Sequence, residues 1–283
     1  MKEAFQKVLG ELDAIGEKEY NYFHTKQKLI PSRKNVISII KNIQSLMFPS
    51  YFCIDENEGL TRQEILSLLY ENLAKEITAA FAFCSTCDNR ETRDEKELAA
   101  EIIALIPKIK EALIKDVQAI YEGDPAARAP EEVILSYPGF YAISIYRIAH
   151  EFYVRKIPYI ARLMTEYAHE KTGIDIHAGA TVGEYFFIDH GTGIVIGETT
   201  TIGNHVRIYQ GVTLGAKSFE LDENGNPVKG IKRHPDIGDN CIIYANATIL
   251  GGNTKIGNGC VIGGNVWLTH SVPAGEVVYY KQN

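Results

Sequence analysis

Two short stretches of this chain set a charged residue immediately before a histidine: Asp189-His190 and Arg233-His234. A third, Asp175-Ile176-His177, sets one two positions from a carboxylate. A neutral imidazole is the side chain best suited to take a proton from a hydroxyl near neutral pH while that oxygen forms a new bond. His190, in Ile188-Asp189-His190-Gly191-Thr192-Gly193, is the candidate base. Such a base works better when a carboxylate fixes its tautomer and stabilises the imidazolium. Asp175, 15 residues earlier, is the candidate for that role. On residue type alone, a solvated turn histidine and a turn-forming aspartate fit these two positions equally well. Cys84-Ser85-Thr86-Cys87 has the spacing of a zinc or redox pair, yet no second such pair or histidine pair follows, so it reads as incidental. Cys241 and Cys260 read as small buried hydrophobes.

The elements that must position these residues announce themselves by period. Aliphatic residues recur every six positions at Ile176, Val182, Ile188 and Ile194, then slip by two and resume at Ile196, Ile202, Ile208 and Leu214. After a gap they return at Ile237, Ile243 and Ile249, and one inserted residue later at Ile256, Ile262 and Leu268. A sustained period of six is the signature of a parallel β-helix. Each side of its triangular coil is one short strand, and small or polar residues make the corners. One aliphatic side chain per repeat points inward, and stacked coils join these into a continuous core. A three-sided coil takes roughly 18 residues, so Asp175 and His190 are expected on adjacent rungs. The gap between Leu214 and Ile237 is polar and rich in Gly and Pro, which marks a loop thrown out of the coil. A prism with open ends and flat faces is expected to oligomerise, most simply as a trimer.

The first half reads as helix. Leu60 to Phe83 places Ile65, Leu68, Leu69, Leu73 and Ile77 on one face, and Thr61 with Glu64 forms a capping box. A second helix is expected over 98–121, with Ile102, Leu105, Ile109, Leu113, Val117 and Ile120 as its stripe and a kink or break at Pro107. A third follows Pro138 through Tyr141, Ile145, Ile148 and Phe152 to about Tyr167. The fold class is therefore α+β and multidomain: an N-terminal helical domain, then a C-terminal β-helix.

Composition narrows the partners. With 283 residues and a formal charge of -7, the chain offers no electrostatic footprint for nucleic acid or for an anionic membrane. No apolar run approaches the ~18 residues of a spanning helix, and the N-terminus has no signal-peptide core. Five cysteines, an odd number, suggest reduced thiols and a cytoplasmic setting.

The segment from Asp175 to Gly215, DIHAGATVGEYFFIDHGTGIVIGETTTIGNHVRIYQGVTLG, closely resembles bacterial and plant serine O-acetyltransferases. So do Arg233-His234-Pro235 and the upstream Asp124-Pro125-Ala126, which precedes a Tyr-Pro-Gly-Phe-Tyr-Ala run. The resemblance spans about 121–268. It implies a left-handed β-helix and transfer of the acetyl group of acetyl-CoA to the hydroxyl of L-serine, the first step of cysteine synthesis. It implies His190 and Asp175 as the catalytic pair, acting by direct attack on the thioester. It assigns Asp124 and Asp189 to the substrate's ammonium, and Arg233 and His234 to its carboxylate. Gly215, Ala216, Ala245 and Gly264 match the small positions of its acetyl-CoA groove, where Lys217 and Lys232 would meet phosphates. No metal is expected.

The domains implied are 1–170, helical, for oligomerisation and part of the serine site, and 171–283, catalytic, with an excursion loop at about 217–233. Expected partners are L-serine, acetyl-CoA, L-cysteine as a feedback inhibitor, and further copies of the chain as a homotrimer or dimer of trimers. Relatives bind a sulfhydrylase through a C-terminal tail ending in isoleucine. This chain ends on Asn283 about 15 residues past Leu268, with little free tail and a polar side chain in place of the alkyl one, so no tight sulfhydrylase complex is expected. It also lacks the usual Gly-Val-Pro-Ala segment, which in that family helps cover the CoA arm. Three alternatives stand beside this reading. One is a hexapeptide acetyltransferase for a sugar, an antibiotic or homoserine. Another is a zinc hydratase of the γ-carbonic-anhydrase type, drawing on His177, His190, His205 and His234. The last is a non-catalytic scaffold.

Overall fold

The computed structural model describes residues 1–19, 29–53, 57–84 and 93–280; Cys87 and Asn283 lie outside the described residues. Among the described residues, seven helices come first: α1 (Lys2–Glu19), α2 (Arg33–Met47), α3 (Arg62–Phe83), α4 (Glu95–Gly123), α5 (Pro130–Ser136), α6 (Pro138–Val154) and α7 (Ile160–Thr172). The capping box of α3 is present: the Glu64 amide donates to the Thr61 hydroxyl at 3.3 Å, and the Thr61 amide to the Glu64 carboxylate at 2.7 Å. Ile65, Leu69, Leu73 and Ile77 are buried along its i, i+4 ridge, but Leu68 is exposed. The buried stripe follows that ridge and is narrower than the spacing suggested.

Two helix expectations need correction. Of the kink or break expected at Pro107, the break does not occur: α4 runs through it. The proline ring faces solvent, while Ile102, Ile106, Ile109 and Leu113 are buried on both sides of it, so packing outweighs the missing amide. The stretch after Pro138 is two helices, not one. Lys156 and Tyr159 take left-handed conformations at φ 56° and 62°, and Pro158 stands between them, so the chain turns there before α7. A third correction concerns the thiols. Cys53, Cys241 and Cys260 are free, but Cys84 is disulfide-bonded.

α7 ends on Gly173 in the left-handed conformation at φ 70°, and the β-helix starts two residues later. Three parallel sheets form its sides. The first stacks β1 (Asp175–Ile176), β4 (Val195–Ile196), β7 (Thr213–Gly215), β10 (Thr248–Leu250) and β13 (Trp267–Leu268). The second stacks β2 (Thr181–Val182), β5 (Thr201–Ile202), β8 (Asp236–Ile237) and β11 (Lys255–Ile256). The third stacks β3 (Phe187–Ile188), β6 (Arg207–Ile208), β9 (Ile242–Ile243), β12 (Val261–Ile262) and β14 (Val277–Val278). The coil is left-handed. Ladder partners are the aliphatic repeat positions themselves: Ile176 with Ile196, Ile196 with Leu214, Leu214 with Ile249 and Ile249 with Leu268. All are buried, one side chain per repeat, which is the core the period demanded.

The helices are clamped to the coil by a buried ion pair. Arg147 of α6 donates to both oxygens of Asp116 of α4, at 2.5 and 2.8 Å. The same carboxylate accepts the Phe186 amide at 2.9 Å, and Arg147 donates to the Gly183 carbonyl at 2.8 Å. Every polar atom gained in this way offsets the desolvation of the pair, whereas losing one partner would strand the other charge. Among the described residues, no helix is long and apolar enough to cross a membrane.

Candidate active site

The chemistry-bearing residues gather at two edges of the prism. The first lies where the third sheet turns into the first. The turn from β3 to β4 has six residues, 189–194, whereas the equivalent turns higher in the coil, 209–212, 244–247 and 263–266, have four. The phase slip in the sequence is this enlarged turn. It carries Asp189 and His190. His190 sits at φ 56°, and the coils above place Gly211, Asn246 and Asn265 with positive φ at this edge. Tyr185 and His205 take the same conformation at other turns of the coil, at φ 57° and 55°, so it is a property of these tight corners.

The His190 ring is exposed, and its Nε2 lies 3.6 Å from Asp189 Oδ2. Asp189 Oδ1 accepts the His190 amide at 2.7 Å, which shapes the turn. Asp175 pairs in register with Val195, because this first coil takes twenty residues and not eighteen. Asp175 and His190 border the same edge, where Gly191 packs on Ile174, but no hydrogen bond joins their side chains among the described residues.

Asp124 reaches this edge from the helices. It caps the C-terminus of α4, and its Oδ1 accepts the Ala126 amide at 2.8 Å. Its Oδ2 accepts the hydroxyl of Tyr137 at 2.5 Å. Gly123 lies against the Phe187 ring, so the helix end is seated on β3 two residues before Asp189. Tyr209 packs on Phe187 and stacks on Tyr244 at 5.3 Å, walling the same edge. Ala245 and Gly264 are neighbours one coil apart here: a Cβ on Gly264 would stand 3.2 Å from the Ala245 carbonyl.

The second edge lies where the first sheet turns into the second. Arg233 and His234 stand here, at the return of the excursion loop. Arg233 Nη2 donates to Glu198 Oε2 at 2.5 Å, and the Tyr153 hydroxyl donates to Glu198 Oε1 at 2.8 Å. Burial alone would raise the Glu198 carboxyl, but these two donors outweigh it and hold the group below its ordinary value. Thr199 ties down the backbone: its hydroxyl accepts the amides of Arg233 at 3.0 Å and His234 at 3.1 Å. The Thr199 amide donates to His234 Nδ1 at 3.1 Å, so the ring proton belongs on Nε2. Burial, then the Arg233 charge, push His234 down to about 4, which keeps it neutral. A Cβ on Gly197 would stand 2.0 Å from the His234 ring, so only glycine leaves it room. Gly215 ends β7, and Ala216 and Lys217 follow it at this edge, with Lys217 beside Gly251. The Lys232 ammonium donates to Asp236 and to the Thr199 carbonyl, each at 2.5 Å.

Within one chain, therefore, Asp124, Asp189, His190, Ala245 and Gly264 share one edge, with Asp175 bordering it. Arg233, His234, Gly215, Ala216 and Lys217 share another, and the first sheet lies between the two groups. Sequence reasoning missed Glu198, Tyr153 and Tyr137. Glu198 closes the quoted DHGTGIVIGE stretch and Tyr137 opens the quoted Tyr-Pro-Gly-Phe-Tyr-Ala run, so both lay in view without a role, whereas nothing in the spacing of Tyr153, on α6, ties it to the coil. The four histidines weighed for zinc are spread over three edges, and no group of three or more metal-ligating side chains occurs among the described residues.

Comparison with known proteins identifies the family. The family profile described as serine acetyltransferase, N-terminal, matches residues 60–144. The plasmid serine acetyltransferase of Synechococcus elongatus is 45% identical over 264 residues, covering 89% of this chain and 82% of that protein. The crystal structure of Entamoeba histolytica serine acetyltransferase 1 in complex with L-cysteine is 38% identical, with a TM-score of 0.74 over 85% of this chain and 86% of that one. A serine acetyltransferase in complex with CoA is 26% identical, with a TM-score of 0.55 over 86% of this chain and 96% of that one. The chain belongs to the serine acetyltransferase family.

Proposed function

We propose that this chain transfers the acetyl group of acetyl-CoA to the hydroxyl of L-serine, that His190 is the general base, and that each complete site forms between two copies in a homotrimer. The observation that carries this reading is the division of charge. Two carboxylates and an exposed histidine stand at one edge, and an arginine with a neutral histidine donor stands at another. A zwitterionic amino acid needs both: carboxylates for its ammonium, and a guanidinium with an N–H donor for its carboxylate. One chain holds the two halves a full sheet apart, while cyclic packing sets one edge of each copy against the other edge of its neighbour. The acetyl-CoA positions divide in the same way, with Gly215, Ala216 and Lys217 on one edge and Ala245 and Gly264 on the other.

The chemistry follows from the placement. A nitrogen of the His190 ring takes the serine hydroxyl proton as the oxygen attacks the thioester carbon. The C–O bond forms, the tetrahedral intermediate collapses, the C–S bond breaks, and the leaving thiolate takes the proton back from the imidazolium. Asp175, at the border of that edge, stabilises the imidazolium once the ring turns toward it. The helical segment 1–170 contributes Asp124 to the site. L-Cysteine carries the same ammonium and carboxylate, so it competes with serine as a feedback inhibitor. Three free thiols suit a cytoplasmic setting, with the disulfide at Cys84 set against it.

The test is free thiol release from acetyl-CoA across a panel of acceptors. L-Serine is expected to give rapid release that L-cysteine suppresses competitively. Equal release with homoserine or a sugar, or none with serine, would overturn the assignment.

A further inference from the structure

Tyr137 is the single residue between α5 and α6. Three features fix it there. Pro138 opens α6 and holds Tyr137 in an extended conformation at φ -82°, ψ 117°. Gly139 lies so close to β3 that a Cβ would stand 2.5 Å from the Ile188 carbonyl, which pins the start of α6 beside Asp189. The hydroxyl then donates to Asp124 Oδ2 at 2.5 Å. Burial, the hydrogen bond to Asp124 and the charge of Asp124 hold that phenol well above its ordinary value, with smaller pushes from Glu132 and Asp189. It therefore remains a donor throughout the working range.

Two carboxylates that must share one cation repel each other when the cation is absent. Without the phenol, Asp124 would keep only the Ala126 amide, on Oδ1, and Oδ2 would be free to turn away from Asp189. A hydroxyl donating to that oxygen is a charge-assisted bond that holds its direction. We propose that Tyr137 is a positioning residue for the ammonium end of the acceptor: its hydroxyl, presented from the junction of α5 and α6, aims the Asp124 carboxylate so that Asp124 and Asp189 face one cation together. This rests on the placement of the substrate ammonium at Asp124 and Asp189. Tyr137 touches the carboxylate and not the reacting atoms, so its effect belongs in serine binding and not in turnover.

The experiment uses the full chain and four variants: Tyr137→Phe, Asp124→Asn, Asp189→Asn and the double variant Tyr137→Phe/Asp124→Asn. Tyr137→Phe is expected to raise the serine KM about tenfold, a magnitude in keeping with loss of one hydrogen bond to a charged group. Its kcat and its KM for acetyl-CoA are expected within twofold of wild type. 3-Hydroxypropionate, which is serine without the ammonium, serves as the probe for the carboxylate half. Its inhibition constant is expected to be unchanged by Tyr137→Phe. In the Asp124→Asn background the tyrosine change is expected to add nothing, because it acts through that carboxylate. A wild-type serine KM in Tyr137→Phe, with a raised KM in Asp124→Asn, would overturn the role of Tyr137. So would an equal loss of 3-hydroxypropionate binding, which marks general damage to the fold. Wild-type serine KM in both Asp124→Asn and Asp189→Asn would instead overturn the placement of the ammonium, and the proposal with it.

Discussion

His190 and His234 are chemically the same side chain in opposite settings. His190 is exposed on a turn enlarged by two residues, free to meet a substrate and exchange a proton. Replacing it with alanine is expected to lower kcat by about 10²–10⁴, the usual worth of a general base, with the unfolding midpoint unchanged. Asp175→Asn is expected to cost less, since the imidazole remains; steady-state kinetics on both variants checks the order. His234 is buried and pinned through Nδ1, and its depressed pKa makes a statement about stability. The unfolded chain binds a proton there below about 6.5, and the folded chain does so only near 4. Stability is therefore fully present above the unfolded value and is lost as pH falls from 6.5 toward 4. His177 is also lowered, chiefly by burial, and acts in the same direction. Denaturant melts at pH 7 and pH 5 are expected to show a smaller acid loss in His234→Asn than in wild type.

The helices show how far local rules carry. The capping box at Thr61 and Glu64 formed where three-residue spacing placed it, because both bonds close within one turn. Pro107 obeyed no such local rule. The backbone of α4 passes through it with Ile102, Ile106, Ile109 and Leu113 buried around it, and the ring itself lies in solvent. Restoring an amide at that site is expected to stabilise the protein. Pro107→Ala should gain about 1–3 kcal/mol from the added hydrogen bond and the removed clash, partly offset by the freer unfolded chain. A thermal midpoint at or below that of wild type would show that the helix is built around the proline.

At the scale of the whole molecule, the division of the site between two edges predicts complementation. His190→Ala damages one edge and Arg233→Ala the other, and each alone is expected to be nearly inactive. Co-refolded at equal amounts, the two variants form mixed trimers in which about one site in four joins two intact halves. Thiol release should recover to about that fraction of wild type. No recovery, in mixtures shown by mass to contain both chains in one trimer, would place the whole site within a single copy.

The period of six needed no tertiary information. An inward aliphatic at every sixth position can be buried only by stacking coils, so repeat, register and core were readable from Ile176 to Leu268. The slip between Ile194 and Ile196 was visible too, but its meaning was not, because only the ladder shows that the extra residues swell the turn that bears His190. A spacing count along the chain put Asp175 and His190 on adjacent rungs by assuming a uniform coil. The real first coil is longer, and it pairs Asp175 with Val195. The tyrosines that hold Asp124 and Glu198 escaped detection for a related reason. Tyr137 and Tyr153 come from the helical half, and only the packing of α4 and α6 against the coil brings their hydroxyls to those carboxylates. Local periodicity determines which elements form and which faces they bury. Which side chains from different elements meet is decided by the angles at which those elements pack, and no short-range pattern in the chain records those angles.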